Sequence, residues 1–130
     1  LLSTHGRKLK DLNKYPYQYE NCEKMSSCTK NNDFDLDVDI IGTGVMCFKP
    51  SIINLTFDEF SGCSGMTDIH VSRFARKNNI KMFARKHTSD EIVNLIFDPK
   101  SESYKKSLWE QQINDYAFRE RIMYFFNNQK

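Results

Sequence analysis

The chain has 130 residues, enough for one domain with one core, and its 39% hydrophobic and 13% aromatic content in periodic segments excludes a disordered polymer. Nineteen basic and 17 acidic residues leave a net charge of +2, too nearly balanced to point to nucleic acid as a partner. No apolar run approaches the roughly 18–20 residues that span a bilayer, and the N-terminus lacks the apolar stretch of a signal peptide, so a cytoplasmic location is expected.

The first residue is Leu1 rather than methionine, which suggests a processed or truncated product. Cys22, Cys28, Cys47 and Cys63 match no zinc spacing and are expected as reduced thiols, with Cys47 in an apolar strand and hence in the core. A zinc site built from Cys22, Cys28, Cys63 and a histidine is the lesser alternative.

Leu1 to Leu9 fits a strand ending at the Gly6 turn, with His5 either at a ligand or half exposed at the strand end. Residues 14–32 are polar and show no sustained period, so they read as a long loop. Tyr15, Tyr17 and Tyr19 within it either line an acceptor site or pin the loop to the surface. Phe34, Leu36, Val38 and Ile40 alternate with Asp33, Asp35, Asp37 and Asp39, the period of a strand with one buried face. The aspartates share the other face, but positions two apart on an extended strand lie about 7 Å apart, too spread to converge on one calcium or manganese ion.

Val38 to Phe48 reads as a buried strand interrupted by Gly42-Thr43-Gly44, where the backbone bends or something approaches closely. No third glycine follows and no helix opens there, so this is not a dinucleotide fingerprint. Pro50 to Leu55 fits a short helix or turn, and Phe57 and Phe60 are expected to anchor the next loop in the core. Gly62 and Gly65 loosen the backbone before Thr67, an apt N-cap that puts Asp68 in the first helical turn, where the helix dipole favours the carboxylate.

Asp68 is there either for helix-end electrostatics or for chemistry, and His70 reads as a first-turn surface residue. Val71, Phe74 and Ala75 share the buried helix face, while Ser72, Arg73, Arg76 and Lys77 fill much of the rest. The basic strip Arg73, Arg76, Lys77, Lys81, Arg85 and Lys86 either meets phosphates or is a solvated face.

A short strand is expected over Ile80 to Ala84, and 87–97 mixes helix and strand signals. Thr88-x-x-Glu91 and Ser107-x-x-Glu110 have the form of capping boxes. The second opens a long helix whose stripe of Trp109, Ile113, Tyr116, Ala117 and Tyr124, widened by Phe118, Ile122, Phe125 and Phe126, needs a partner. That partner is this domain, a second subunit or a membrane surface. Two segments are expected, 1–88 and a C-terminal helical segment 89–130.

Val38-Asp39-Ile40-Ile41-Gly42-Thr43-Gly44, Met46-Cys47-Phe48, Phe57-Asp58-Glu59-Phe60, Gly65-Met66-Thr67-Asp68-Ile69-His70-Val71 and Arg76-Lys77-Asn78-Asn79-Ile80, in that order, resemble the second half of family 2 glycosyltransferases. The pairing of GTG with M-x-D-I is similar to bacterial transferases that build surface and capsular polysaccharides. The resemblance spans roughly residues 1–86. It implies an α/β fold, the C-terminal half of a GT-A nucleotide-sugar transferase with a short mixed sheet and flanking helices.

It also implies inverting transfer from a nucleotide-sugar donor to a saccharide acceptor. Asp68 would be the catalytic base, with His5, Gly42, Thr43, Gly44, Met66, Thr67 and His70 at the substrate. The complete enzyme would use a divalent ion, Mn or Mg, whose ligands lie outside this chain. The family's donor-binding half with its DxD motif lies N-terminal to these motifs and is not in the sequence. The chain therefore reads as an acceptor-side fragment, inactive in isolation, at the inner face of the membrane. A non-catalytic interaction module that docks through the aromatic C-terminal helix is the alternative.

Overall fold

Leu1 to Leu9 and the aspartate-rich stretch each fold as a strand that breaks at a bend and passes from one sheet into another. The computed structural model describes residues 1–16, 18–60, 66–91 and 115–127. The first stretch gives β1 (Leu2–Ser3) and β2 (Gly6–Leu9), and the aspartate-rich stretch gives β4 (Leu36–Asp37) and β5 (Ile40–Ile41). Between them lies β3 (Cys22–Ser26), so residues 14–32 are not one long loop. Its antiparallel pairing with β2, Gly6 opposite Ser26 and Arg7 opposite Met25, is long-range and leaves no local period to read.

The chain continues through β6 (Met46–Cys47), helix α1 (Thr67–Lys77), β7 (Phe83–Ala84) and helix α2 (Tyr116–Asn127). One sheet has the order β4-β7-β1-β6, with β1 parallel to β7 and the other pairs antiparallel; the second is β3-β2-β5, all antiparallel. The architecture is mixed α/β, as expected. Among the described residues, no helix is long and apolar enough to cross a membrane.

The bends put neighbouring residues to different uses. Val38 N–H donates to Met82 O at 3.1 Å, whereas Asp39 N–H donates to Arg7 O at 2.8 Å. Ile40 and Ile41 then point to opposite sides of β5 and enter two apolar clusters. Leu9, Ile40, Met66, Ile69, Ile122 and Phe126 form one, and Val38, Ile41, Val71, Ala75, Met82 and Ala84 the other. Helix α1 feeds both. It packs on β5 on one side and on α2 on another.

The buried face of α1 contains Val71, Phe74 and Ala75, as its period predicts, and also Ser72. Ser72 is fully buried: its hydroxyl donates to Asp68 O at 2.6 Å and accepts the Ile41 N–H at 3.0 Å. The helix ends with Asn79 at φ 53°, where Ile80 N–H reaches back to Ala75 O and Asn79 N–H to Arg76 O. This double closure with a left-handed asparagine satisfies the last carbonyls and turns the chain toward β7.

Several side chains sit where the sequence does not put them. Thr67 is not the N-cap; it is the first helical residue, and Met66 caps without a side-chain bond. Cys47 is exposed rather than in the core: it lies on the edge strand β6, and Val45 and Phe48 on either side of that strand are exposed as well. Cys22, Cys28 and Cys47 are free thiols.

On α2 the buried side chains are Ile122 and Phe126, flanked by Phe118 and Phe125, while Tyr116 and Tyr124 are 74% and 73% exposed. The predicted stripe is therefore rotated, and this part of the helix finds its partner in the chain itself. Half-buried Arg73 and Arg76 are not a solvated face: their guanidinium carbons lie 4.3 Å from the Phe125 and 4.6 Å from the Phe126 ring centroid.

Phe60 packs against the second cluster. Thr88 N–H donates to Glu91 Oε1 at 2.8 Å, the backbone half of the expected capping box. Tyr17, Gly62, Cys63, Gly65, Trp109, Ile113 and the Ser107-x-x-Glu110 box lie outside the described residues, as do the side chains of Tyr19 and Phe57.

Phe126 joins α2 to both Leu9 and Ile69 through the first cluster. Phe126→Ala is expected to destabilise the fold by about 3–5 kcal/mol, read by chemical denaturation. A loss below about 1 kcal/mol would mean that α2 is an appendage.

Candidate functional site

The β1–β2 bend, the turn after β5 and the mouth of α1 meet at one cavity of about 400 Å³. Thr4 and His5 come from the bend, Gly42, Thr43, Gly44 and Val45 from the turn, Thr67 and Asp68 from the helix, and Cys28 from the turn after β3. The lining combines polar and apolar surface in nearly equal parts. It offers hydroxyls, an imidazole and a carboxylate, the groups that hydrogen-bond a polyhydroxylated ligand.

Antiparallel pairing of β2 with β5 brings the segments together, with Gly6 opposite Ile41 and Arg7 opposite Ile40. One step further along, Gly42 N–H donates to His5 O at 2.8 Å. A Cβ on Gly42 would sit 2.8 Å from His5 Cβ and 2.9 Å from its Cγ, so only glycine lets the imidazole lie against the turn. Gly44 is different. Nothing lies within 4 Å of where its Cβ would be.

Asp68 is held from behind. The Ser72 hydroxyl fastens its carbonyl to the Ile41 amide, one residue before Gly42. Its Oδ1 accepts the Ile69 N–H at 3.1 Å. Across the cavity, burial pushes the His5 pKa below its ordinary value; the positive charge of Arg7 lowers it further, and the Asp68 carboxylate partly opposes both. His5 is thus a neutral imidazole near pH 7, within the electrostatic reach of Asp68.

Of the eight residues expected at the site, Asp68, His5, Gly42, Thr43, Gly44 and Thr67 line the cavity. Met66 and His70 do not. Met66 is in the first apolar cluster, and His70, 2% exposed rather than on the surface, lies between Phe60 and Phe125 with ring centroids at 5.5 and 4.4 Å. At helical spacing His70 turns away from the face that carries Asp68.

Thr4 and Cys28 are additions. The Thr4 hydroxyl is buried without a hydrogen-bond partner, and its place beside His5 was a readable signal. Cys28 arrives through the β2–β3 pairing, and nothing local in the sequence points to it.

Three of the four aspartates in the row, Asp35, Asp37 and Asp39, are engaged in ion pairs. Lys8 Nζ reaches Asp37 Oδ2 at 3.0 Å and Asp39 Oδ1 at 3.4 Å, and Arg85 Nε reaches Asp35 Oδ1 at 3.3 Å. Among the described residues no three His, Cys, Asp or Glu side chains gather as a metal site requires.

No protein-family model matches the chain, and no curated protein matches it. The cavity itself must carry the functional argument.

Two outcomes follow from the geometry. Gly42→Ala is expected to displace the His5 ring and destabilise the fold by about 1–3 kcal/mol, whereas Gly44→Ala stays within about 0.5 kcal/mol, compared by urea unfolding. The reverse order would disprove the close approach at Gly42.

The lowered His5 pKa also sets a sign for pH dependence. As pH falls through the ordinary histidine value of 6.5, the unfolded chain takes up a proton that folded His5 refuses, so stability falls with acidification. His5→Gln is expected to flatten the stability slope between about pH 7.5 and 5.5. An unchanged slope would mean that His5 is not shielded from water.

Proposed function

We propose that this chain is the acceptor-side part of a family 2 glycosyltransferase, with a GT-A-type α/β unit in which Asp68 is the general base of an inverting transfer. The observation that carries the reading is the convergence of Asp68, His5 and the Gly42–Gly44 turn, from three separate segments, on one cavity. An isolated helix-end aspartate would need no such surroundings.

In this mechanism a saccharide hydroxyl enters the cavity and gives its proton to the Asp68 carboxylate as its oxygen bonds to the anomeric carbon. The nucleoside diphosphate departs with the electron pair of the old C–O bond. The Asp68 carboxylate, on the first turn of α1 and facing the cavity, is placed to accept that proton. Neutral His5 can donate to, or accept from, a neighbouring sugar hydroxyl, and the Thr4, Thr43 and Thr67 hydroxyls suit the remaining ones.

The family likeness implies a Mn or Mg ion that neutralises the departing diphosphate. On this reading the donor half supplies the ligands of that ion. A cytoplasmic position at the inner face of the membrane, where nucleotide sugars are available, accords with this role. The alternative, an interaction module using the aromatic helix, is weakened because α2 uses Ile122 and Phe126 for this chain's own core.

In the full-length protein, assayed with a panel of nucleotide sugars and saccharide acceptors, Asp68→Asn is expected to lower turnover by about 10²- to 10⁴-fold with nucleotide binding intact. Turnover within about threefold of the wild type would reject Asp68 as the base.

A further inference from the structure

We propose that Ser3 is a positioning residue whose hydroxyl locks the Gly42–Val45 turn to the β1–β2 bend and thereby seats the His5 imidazole in the cavity with Asp68. The proposal deepens the acceptor-site reading and rests on it for its catalytic meaning.

Ser3 is 3% exposed. Its Oγ lies 2.7 Å from Gly42 O and 2.8 Å from Val45 O, and it accepts the His5 N–H at 3.1 Å. A hydroxyl has one proton, so it donates to the two carbonyls in a shared or alternating bond while a lone pair holds the His5 amide. Both ends of the turn are therefore fastened to one atom, and that atom is fastened to the backbone of the residue carrying the imidazole.

The ring closes from the other side, where Gly42 N–H donates to His5 O at 2.8 Å and the bare Gly42 α-carbon faces the His5 side chain. If the turn moves, the ring loses its floor. No other side chain hydrogen-bonded to the turn from the β1–β2 bend is found among the described residues. Ser3 does not itself line the cavity; it holds three residues that do, Gly42, Val45 and His5, and its influence on the imidazole runs through them.

The burial of His5 provides a readout that needs no enzymatic turnover. The imidazole Cε1–Hε1 signal of His5 in the full-length protein is followed by NMR as the pH is varied. The charged groups acting on His5 are Arg7 and Asp68, and neither is altered. Ser3→Ala is expected to move the His5 midpoint upward toward the ordinary histidine value of 6.5. Acceptor turnover should fall at least about tenfold with donor KM unchanged, the signature of a misplaced catalytic partner.

Ser3→Thr and Ser3→Val serve as a matched pair of equal shape, and only the threonine is expected to keep the wild-type His5 midpoint. An unmoved His5 in Ser3→Ala, or equal midpoints in the threonine and valine variants, would overturn the proposal. A shifted His5 in a protein that transfers no sugar from any donor would uphold the positioning role and reject the glycosyltransferase reading.

Discussion

The structure turns on one buried hydroxyl. Strand β5 has its outer neighbour in β2 on one side only, and the Ile41 amide on its other side is buried where no strand follows it. Ser72 fills that role from the helix, accepting the amide and donating to Asp68 O. A buried amide left unpaired costs about 1–3 kcal/mol, so helix and strand are held in one register rather than merely in contact. Because Ile41 precedes Gly42 and Asp68 opens the helix, the same bond sets the distance between the glycine turn and the carboxylate.

The apolar clusters explain why that register is stable. Ile40 and Ile41, adjacent in sequence, anchor opposite sides of β5, and α1 contributes Ile69 to one cluster and Val71 with Ala75 to the other. A rotation of α1 about its axis would withdraw apolar surface from both at once. Arg73 and Arg76 add to this restraint by stacking on Phe125 and Phe126, which keeps α2 against the face of α1 away from the cavity. His70, between Phe60 and Phe125, belongs to this packing layer.

What was legible in the sequence is what depends on local period. The alternation correctly buries Val38 and Ile40, but its first position fails, since Phe34 is 63% exposed, and Asp39 is half-buried rather than outward; Val71, Phe74 and Ala75 mark the inner face of α1. What was hidden depends on partners far along the chain. The break between β4 and β5 exists because Val38 pairs with Met82 and Asp39 with Arg7. Strand β3 exists because β2 offers it an edge, and exposed Cys47 lies on β6, which has a neighbour on one side only. Ser3 and Ser72 looked like ordinary polar residues, and only the amides and carbonyls brought to them, 31 to 42 residues away, give them their function.

The cavity was half legible for the same reason. Two glycines near an aspartate advertise a site, but the sequence gives them equal weight, while the fold divides their work. Gly42 is indispensable because the His5 side chain occupies the space its Cβ would need, and Gly44 stands open at the rim. The wall beside His5 is therefore rigid and the opposite edge accommodating. Under the proposed reading this asymmetry suits an acceptor: a fixed carboxylate and imidazole would orient one hydroxyl, and the side-chain-free lip would let the rest of the molecule extend past it.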